Sequence, residues 1–249
     1  MSVFQPFAFQ TGPSGATPPA GFPYEADLFA RYTFNEGTGT VVNDVSGNGV
    51  NLLANSTTIL GNQTTGIFSG EYAADFTGGN YVAYNISSPF GCTVKPFTYS
   101  FWANQLTTPV NMYLGRINRD SGCGTSYGQV AFIAGYAGNV LEVYDATDRF
   151  VIQNPFLINQ WQFITMTYNG TDTVGATRAY INGVFVAANT GLAGQPALAA
   201  DVLIGGGSES GVGGMNGYVD QWSLHNFQMN DAQVLELYNW YTTNPNFIG

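Results

Sequence analysis

The segment Trp161-Gln162-Phe163-Ile164-Thr165-Met166-Thr167-Tyr168 and, a short way on, Ala179-Tyr180-Ile181-Asn182-Gly183-Val184-Phe185-Val186 read as successive β-strands. Ile164, Met166 and Tyr168 recur at every second position, the period of a strand with one buried face. Asn182-Gly183 between two apolar triplets is the strongest short hairpin signal, because both residues tolerate the positive φ that a tight two-residue turn demands. Working outward, the same signals recur. Phe97, Tyr99, Phe101 and Ala103 fall on one strand face, with Thr98, Ser100, Trp102 and Asn104 on the other. Leu28–Phe34, Tyr81–Tyr84, Gln129–Ile133, Val140–Tyr144, Asp201–Ile204 and Tyr218–His225 are further short strands set between Gly, Asn and Pro turn residues. One helix is predicted near the C-terminal end: Asn230 caps it, Gln233 completes a capping box, and Val234, Leu235, Leu237 and Tyr238 give its apolar side, with Pro245 beyond. Many short strands and a single short helix predict an all-β fold, an antiparallel two-sheet β-sandwich or jelly roll.

Composition supports a large core. Of 249 residues, 45 % are hydrophobic and only 9 % are charged, against roughly 25 % in an average soluble domain. Six Lys+Arg against sixteen Asp+Glu give a net charge of -10, which excludes nucleic-acid binding by charge and attraction to an anionic membrane. No run approaches the ~18 apolar residues of a membrane span, and Met1–Pro6 lacks the basic and apolar regions of a secretory leader. Residues 1–27 form a Pro/Gly-rich arm, expected to lie on its own domain or on a neighbour, and residues 28–249 form one domain. Phe97–Gln105 and Val110–Arg116 are expected to pair as a hairpin turning near Thr107-Thr108-Pro109. Cys92 and Cys123 would then sit at its open end, where either a disulfide or two free thiols would fit.

Five blocks in order resemble a known family. Leu28–Gly39 followed by Asn43-Asp44-Val45-Ser46-Gly47-Asn48-Gly49 resembles the opening of laminin-G-like domains of the concanavalin A-like lectin/glucanase superfamily. Phe97–Trp102 resembles their central strand, Trp161–Tyr168 with Ala179–Gly183 their hairpin, and Ile204-Gly205-Gly206 with Met215–Asp220 their closing segment; the stretch through Tyr238 resembles their terminal helix. The resemblance implies a jelly roll of two curved sheets. It leaves function open, because the fold hosts lectins, adhesion modules, hydrolases and structural parts.

Enzymatic chemistry finds little support. The catalytic members of the superfamily carry Glu-x-Asp-x-x-Glu on one strand, so that both acids share a face. The nearest stretch here, Glu142-Val143-Tyr144-Asp145, puts its acids on opposite faces. His225 is the only histidine, and no nucleophile elbow precedes it. No cofactor is required. Calcium is the one ion the sequence suggests, with Asp44, Asn48 and Asp220 as ligands: Asp220 alternates with Tyr218, Trp222 and Leu224, where a carboxylate needs a partner, and Asp44 sits in an Asn/Gly turn where it either binds the ion or caps its own backbone. A sugar site would pair aromatic platforms with amides and carboxylates, and Tyr127, Tyr136 and Tyr144 with Asn118, Asp120 and Asn139 supply that inventory.

The expectation is therefore a non-catalytic binding module at an exterior surface, extracellular or on a virion, recognising glycan or protein through loops at the sandwich edge. The alternative is a structural component of a virion or other external assembly (minor capsid, fibre or decoration protein) whose arm contacts neighbouring subunits. Low surface charge suits burial in such interfaces. A glycoside hydrolase ranks below both.

Overall fold

A computed structural model describes residues 21–54, 60, 64–68, 70–77, 82–85, 96–107, 112–118, 129–134, 140–145, 148–153, 155–171, 174–188, 201–204 and 215–244. In chain order the strands are β1 Leu28–Tyr32, β2 Val41–Val42, β3 Leu52–Leu53, β4 Thr64–Thr65, β5 Tyr72–Asp75, β6 Val82–Asn85, β7 Phe97–Gln105, β8 Met112–Asn118, β9 Gln129–Ala134, β10 Val140–Asp145, β11 Asp148–Gln153, β12 Trp161–Tyr168, β13 Thr177–Ile181, β14 Val184–Ala188, β15 Asp201–Ile204 and β16 Gly217–His225, followed by helix α1 Asp231–Thr243. An eight-stranded antiparallel sheet runs β14-β13-β12-β7-β16-β5-β4, with β1 also on β16; a six-stranded sheet runs β11-β10-β9-β8-β15-β6.

The two sheets close on one core. Phe97, Tyr99, Phe101 and Ala103 of β7 meet Ile164, Met166 and Tyr168 of β12 and Val219, Trp222 and Leu224 of β16, all buried, with Ile204 from the six-stranded sheet. Strict alternation on β7 and β12 therefore does what the sequence predicts. The outer face of the eight-stranded sheet carries a second core, in which Trp102, Phe163 and Tyr180 lie under Val234, Leu237 and Tyr241 of α1. Residues 21–27 lie against the same face. Phe22 is buried there, edge-on to Trp240 at 5.0 Å, and the Tyr24 hydroxyl donates to Glu236 of α1.

Two local motifs match their sequence signals. Asn182 and Gly183 both have positive φ, 51° and 76°, and form the turn between β13 and β14. The Asn182 carboxamide also accepts from the Phe163 N–H at 2.8 Å, fixing the turn to β12. Asn230 and Gln233 make the reciprocal capping box, each side chain accepting from the other's N–H at 3.0 Å. Asn230→Ala is expected to lose about 1 kcal/mol of stability, read as a lower urea midpoint at unchanged m-value.

Two expectations are corrected. β7 and β8 are not a hairpin: β7 pairs with β12 and β16, whereas β8 pairs with β9 and β15, so the chain crosses from one sheet to the other between them. β7 is buried on both faces, as a central strand must be, and its partners come from distant sequence. The geometric ground for joining Cys92 to Cys123 goes with the hairpin; both cysteines lie outside the described residues.

The second correction concerns Asp220. Register runs Asp220↔Trp102 and then Ser223↔Ser100, so β16 carries one extra residue, a β-bulge with Gln221 at φ 49°. Val219 faces the inter-sheet core, and the bulge returns Trp222 and Leu224 to that side. Asp220, opposite Trp102, thus belongs to the outer face under α1 and is out of phase with Trp222 and Leu224.

Candidate functional site

The acids proposed for calcium are occupied by backbone. Asp44 is buried, and its carboxylate accepts from Arg31 N–H at 3.0 Å, Ser46 N–H at 2.9 Å, Val50 N–H at 3.0 Å and the Ser46 hydroxyl at 2.7 Å. This is the turn-capping role, extended to tie the loop to β1. Asn48 donates its amide to the Leu28 and Phe29 carbonyls at 2.9 and 3.1 Å. Asp220 accepts from Ile67 N–H at 2.9 Å and Gln221 N–H at 2.7 Å. Asp44 and Asp220 serve different backbone segments. Among the described residues no group of three His, Cys, Asp or Glu side chains could hold a metal ion.

Asp220 belongs instead to a buried polar network. The Arg31 guanidinium donates to Gln221 Oε1 at 2.6 Å, and Gln221 Nε2 donates to Glu71 Oε2 at 3.2 Å; all four side chains are fully or almost fully buried. Phe22 stacks under the guanidinium, 4.4 Å from its carbon to the ring centroid. Burial pushes the Asp220 carboxyl well above the usual carboxylate range; the two N–H donors oppose this and the Glu71 charge adds to it. The network is buried beside α1, whose Tyr241 hydroxyl donates to the Gln221 carbonyl at 3.5 Å.

His225 lies beside the network, fully buried, stacked on Phe22 at 6.0 Å and edge-on to Phe227 at 6.2 Å. Burial pushes its pKa down to about 3. A neutral folded histidine that charges on unfolding gives stability fully present above pH ~6.5 and lost as pH falls toward about 3. Asp220 acts with the opposite sign, since its raised folded pKa favours the fold at low pH. Glu36, also raised by burial, acts in the same direction as Asp220. His225→Phe is expected to remove the histidine part, about 2 kcal/mol between pH 7.5 and 5, measured by urea titration of both proteins at each pH.

The remaining described sequence candidates lie on the other sheet. In the six-stranded sheet Ile204 and Ile152 mark the core side, whereas Val151 and Gln153 are exposed. Register extends the exposed side across the strands. One row runs Asn85, Asp201, Asn118, Gln129 over β6, β15, β8 and β9. The next runs Ala83, Leu203, Arg116, Ala131, Tyr144, Arg149 over all six strands. Asn118 and Tyr144 of the predicted sugar set therefore share one face, two strands apart. Glu142 falls on this face and Asp145 on the core side, the separation expected from their spacing. Tyr127, Tyr136, Asp120 and Asn139 lie outside the described residues. Sequence reading missed Asn85, Asp201, Gln129, Arg116 and Arg149. Polar residues at alternate positions, as in Arg116/Asn118 and Glu142/Tyr144, carried the signal within each strand, but nothing local sets the register between strands.

Two antiparallel sheets closed on one core, one of them faced by a helix, define a lectin-type β-sandwich. The profile of the concanavalin A-like lectin/glucanases superfamily, laminin G type, matches residues 76–235, and the chain belongs to that family. No curated protein matches it in sequence. Among solved structures it is similar to domain 4 of an extracellular arabinanase from Geobacillus stearothermophilus in complex with arabinotriose, at 14 % identity and TM-score 0.60, covering 85 % of this chain and 98 % of that one. A mutant of Trypanosoma rangeli sialidase displaying trans-sialidase activity aligns at 15 % identity and TM-score 0.67 over 90 % of this chain, which spans 34 % of the sialidase. The binding domain of botulinum neurotoxin serotype D aligns at 11 % identity and TM-score 0.60, over 87 % of this chain and 52 % of that one. At these identities the likeness is one of fold. Among the described residues no helix is long and apolar enough to cross a membrane.

Proposed function

We propose that the chain is a non-catalytic glycan-binding module acting at an exterior surface, and that it binds through the outer face of the six-stranded sheet. The observation that carries this reading is the register that places Asn118, Tyr144, Gln129 and Asp201 on one face of the six-stranded sheet, residue types that sugar sites use. The family supports it, as does the likeness to an arabinanase domain whose structure holds arabinotriose. The absence of catalysis is supported by the placement of the acids: Glu71 and Asp220 are buried, and Glu142 and Asp145 are on opposite faces. A glycan array of the folded protein, run with calcium and again with a chelator, is the test. The expected result is saturable binding that survives chelation and falls at least about tenfold in Tyr144→Ala.

A second reading, a structural part of a virion or other external assembly, is favoured by β14. This edge strand carries no charge and exposes Val184, Phe185 and Val186 by 61, 42 and 39 %, where edges are normally blunted. Concentration-dependent association in sedimentation, with no glycan bound by folded protein, would support it over the first.

A further inference from the structure

On the outer face of the eight-stranded sheet, α1 packs over Trp102, Phe163 and Tyr180. One step further along the strands a row of four side chains lies beside the helix: Trp161 of β12, Asn104 of β7, Tyr218 of β16 and Asp75 of β5, each directly opposite the next. Trp161, Asn104 and Tyr218 are partly exposed. β12 and β16 flank β7, so their backbones lie about 9.6 Å apart. The ring centroids of Trp161 and Tyr218 are only 6.5 Å apart, with 39° between the planes, so the two rings lean together over Asn104.

This row presents hydrogen-bond donors. The Trp161 indole N–H, the Tyr218 hydroxyl and Asn104 Nδ2 make no hydrogen bond among the described residues, and none of them is sealed from solvent. Asn104 Oδ1, by contrast, is buried without a partner. An acceptor buried unpaired costs stability, and here it leaves the amide N–H groups on the open side. Aromatic faces with outward donors suit a ligand that is apolar, rich in free carbonyls and poor in N–H groups. A polyproline II segment has that chemistry: proline carries no N–H, the carbonyls are unbonded, and the chain is already extended. The row spans about 14 Å, the length of roughly four to five residues at ~3.1 Å each. At its far end Asp75 accepts from the Thr77 N–H at 2.8 Å and hydroxyl at 2.6 Å through one oxygen, while the other is unbonded among the described residues. In a chain of net charge -10 that oxygen favours a cation.

We propose that this row is a docking site for a proline-rich segment of a partner protein, with a basic residue of that segment at Asp75. Prolines pack on Trp161 and Tyr218, while Trp161 and Asn104 donate to the segment's carbonyls. The site is on the opposite sheet from the proposed glycan face and does not depend on it. Residues 11–20 of this chain hold three prolines but no Lys or Arg, so they lack the group that Asp75 takes.

Fluorescence-anisotropy titration of the full chain tests this with three labelled peptides of about ten residues: polyproline ending in two arginines, the same ending in two glutamates, and a Gly/Ser chain ending in two arginines. The first should bind saturably, the second at least about fivefold more weakly and the third at least about tenfold. Tyr218→Ala should weaken the first about tenfold. Trp161→Phe, which keeps a ring and loses the N–H, should weaken it about threefold, with the melting temperature of each variant confirming a folded protein. Asp75→Asn should bring the arginine and glutamate peptides within about twofold of each other. No saturable binding of the first peptide, equal binding of the Gly/Ser peptide, or binding unchanged in both ring variants would overturn the site. Displacement of the peptide by neutral oligosaccharides would give the row to sugar, and equal binding of a peptide of residues 11–20 would give it to this chain's own arm; either overturns the partner named here. The glycan array succeeds or fails separately, since its Tyr144→Ala variant leaves this row intact.

Discussion

Arg31→Met should destabilise the protein by about 3–5 kcal/mol, seen as a large drop in urea midpoint. Arg31 is fully buried on the outer face of the eight-stranded sheet, between the ring of Phe22 and the amide of Gln221. Its guanidinium is linked to Glu71 through the Gln221 amide, and its charge favours ionised Asp220. Removing it leaves Glu71 buried without that compensation, and the Gln221 amide that links them loses its donor. Methionine keeps most of the volume, so the loss reports charge and hydrogen bonding more than packing. Glu71→Gln in the same chain should restore part of the stability, because the uncompensated charge is then gone. A loss below about 1 kcal/mol, or no rescue by the second change, would show that the network contributes little.

Asp44→Ala is expected to cost about 3 kcal/mol. Three backbone N–H groups and one hydroxyl converge on its carboxylate, and they belong to β1, to the Asn/Gly turn and to the chain just after it. The variant would strip the partner from all of them at once. Asp44→Asn keeps one carbonyl oxygen and should lose about half as much. The same experiment addresses the ion: the loss should be equal with calcium and with a chelator, read as parallel shifts in Tm. A loss confined to calcium-containing buffer would give the turn back to the metal.

These two residues also show what could be read from sequence. The turn around Asp44 was legible as a turn, and its two candidate roles were both chemical possibilities of one carboxylate; only the donors around it decide between them. β12, the Asn182-Gly183 hairpin, the inward face of β7 and the capping box of α1 followed from period and local chemistry, which act within a few residues. Asp220 was misplaced because alternation assumes an unbroken strand. Gln221 adopts positive φ without being glycine, and no residue type announces it. The β7–β8 hairpin failed for a related reason: adjacency in sequence suggested pairing, whereas the partners of β7 come from β12 and β16. The polar face of the six-stranded sheet was half legible. The chemistry of Asn118 and Tyr144 is readable from residue type, but their sharing of a face with Asn85 and Asp201 is a matter of long-range register.

The bulge in β16 sets the order in which the molecule can be completed. Before it, Tyr218 and Val219 pair with β5; after it, Trp222 to His225 pair with β1. One strand late in the chain is thus the seam that joins two early ones, and the Arg31–Gln221 bond closes a span of 190 residues. During synthesis β1 and β7 emerge long before their shared neighbour exists. Loops of that length close slowly, so these strands wait with ladder groups unpaired. The period of greatest exposure to misassembly therefore ends only when β16 has left the ribosome, and damage to this one strand would leave the fold unclosed however well the rest had formed.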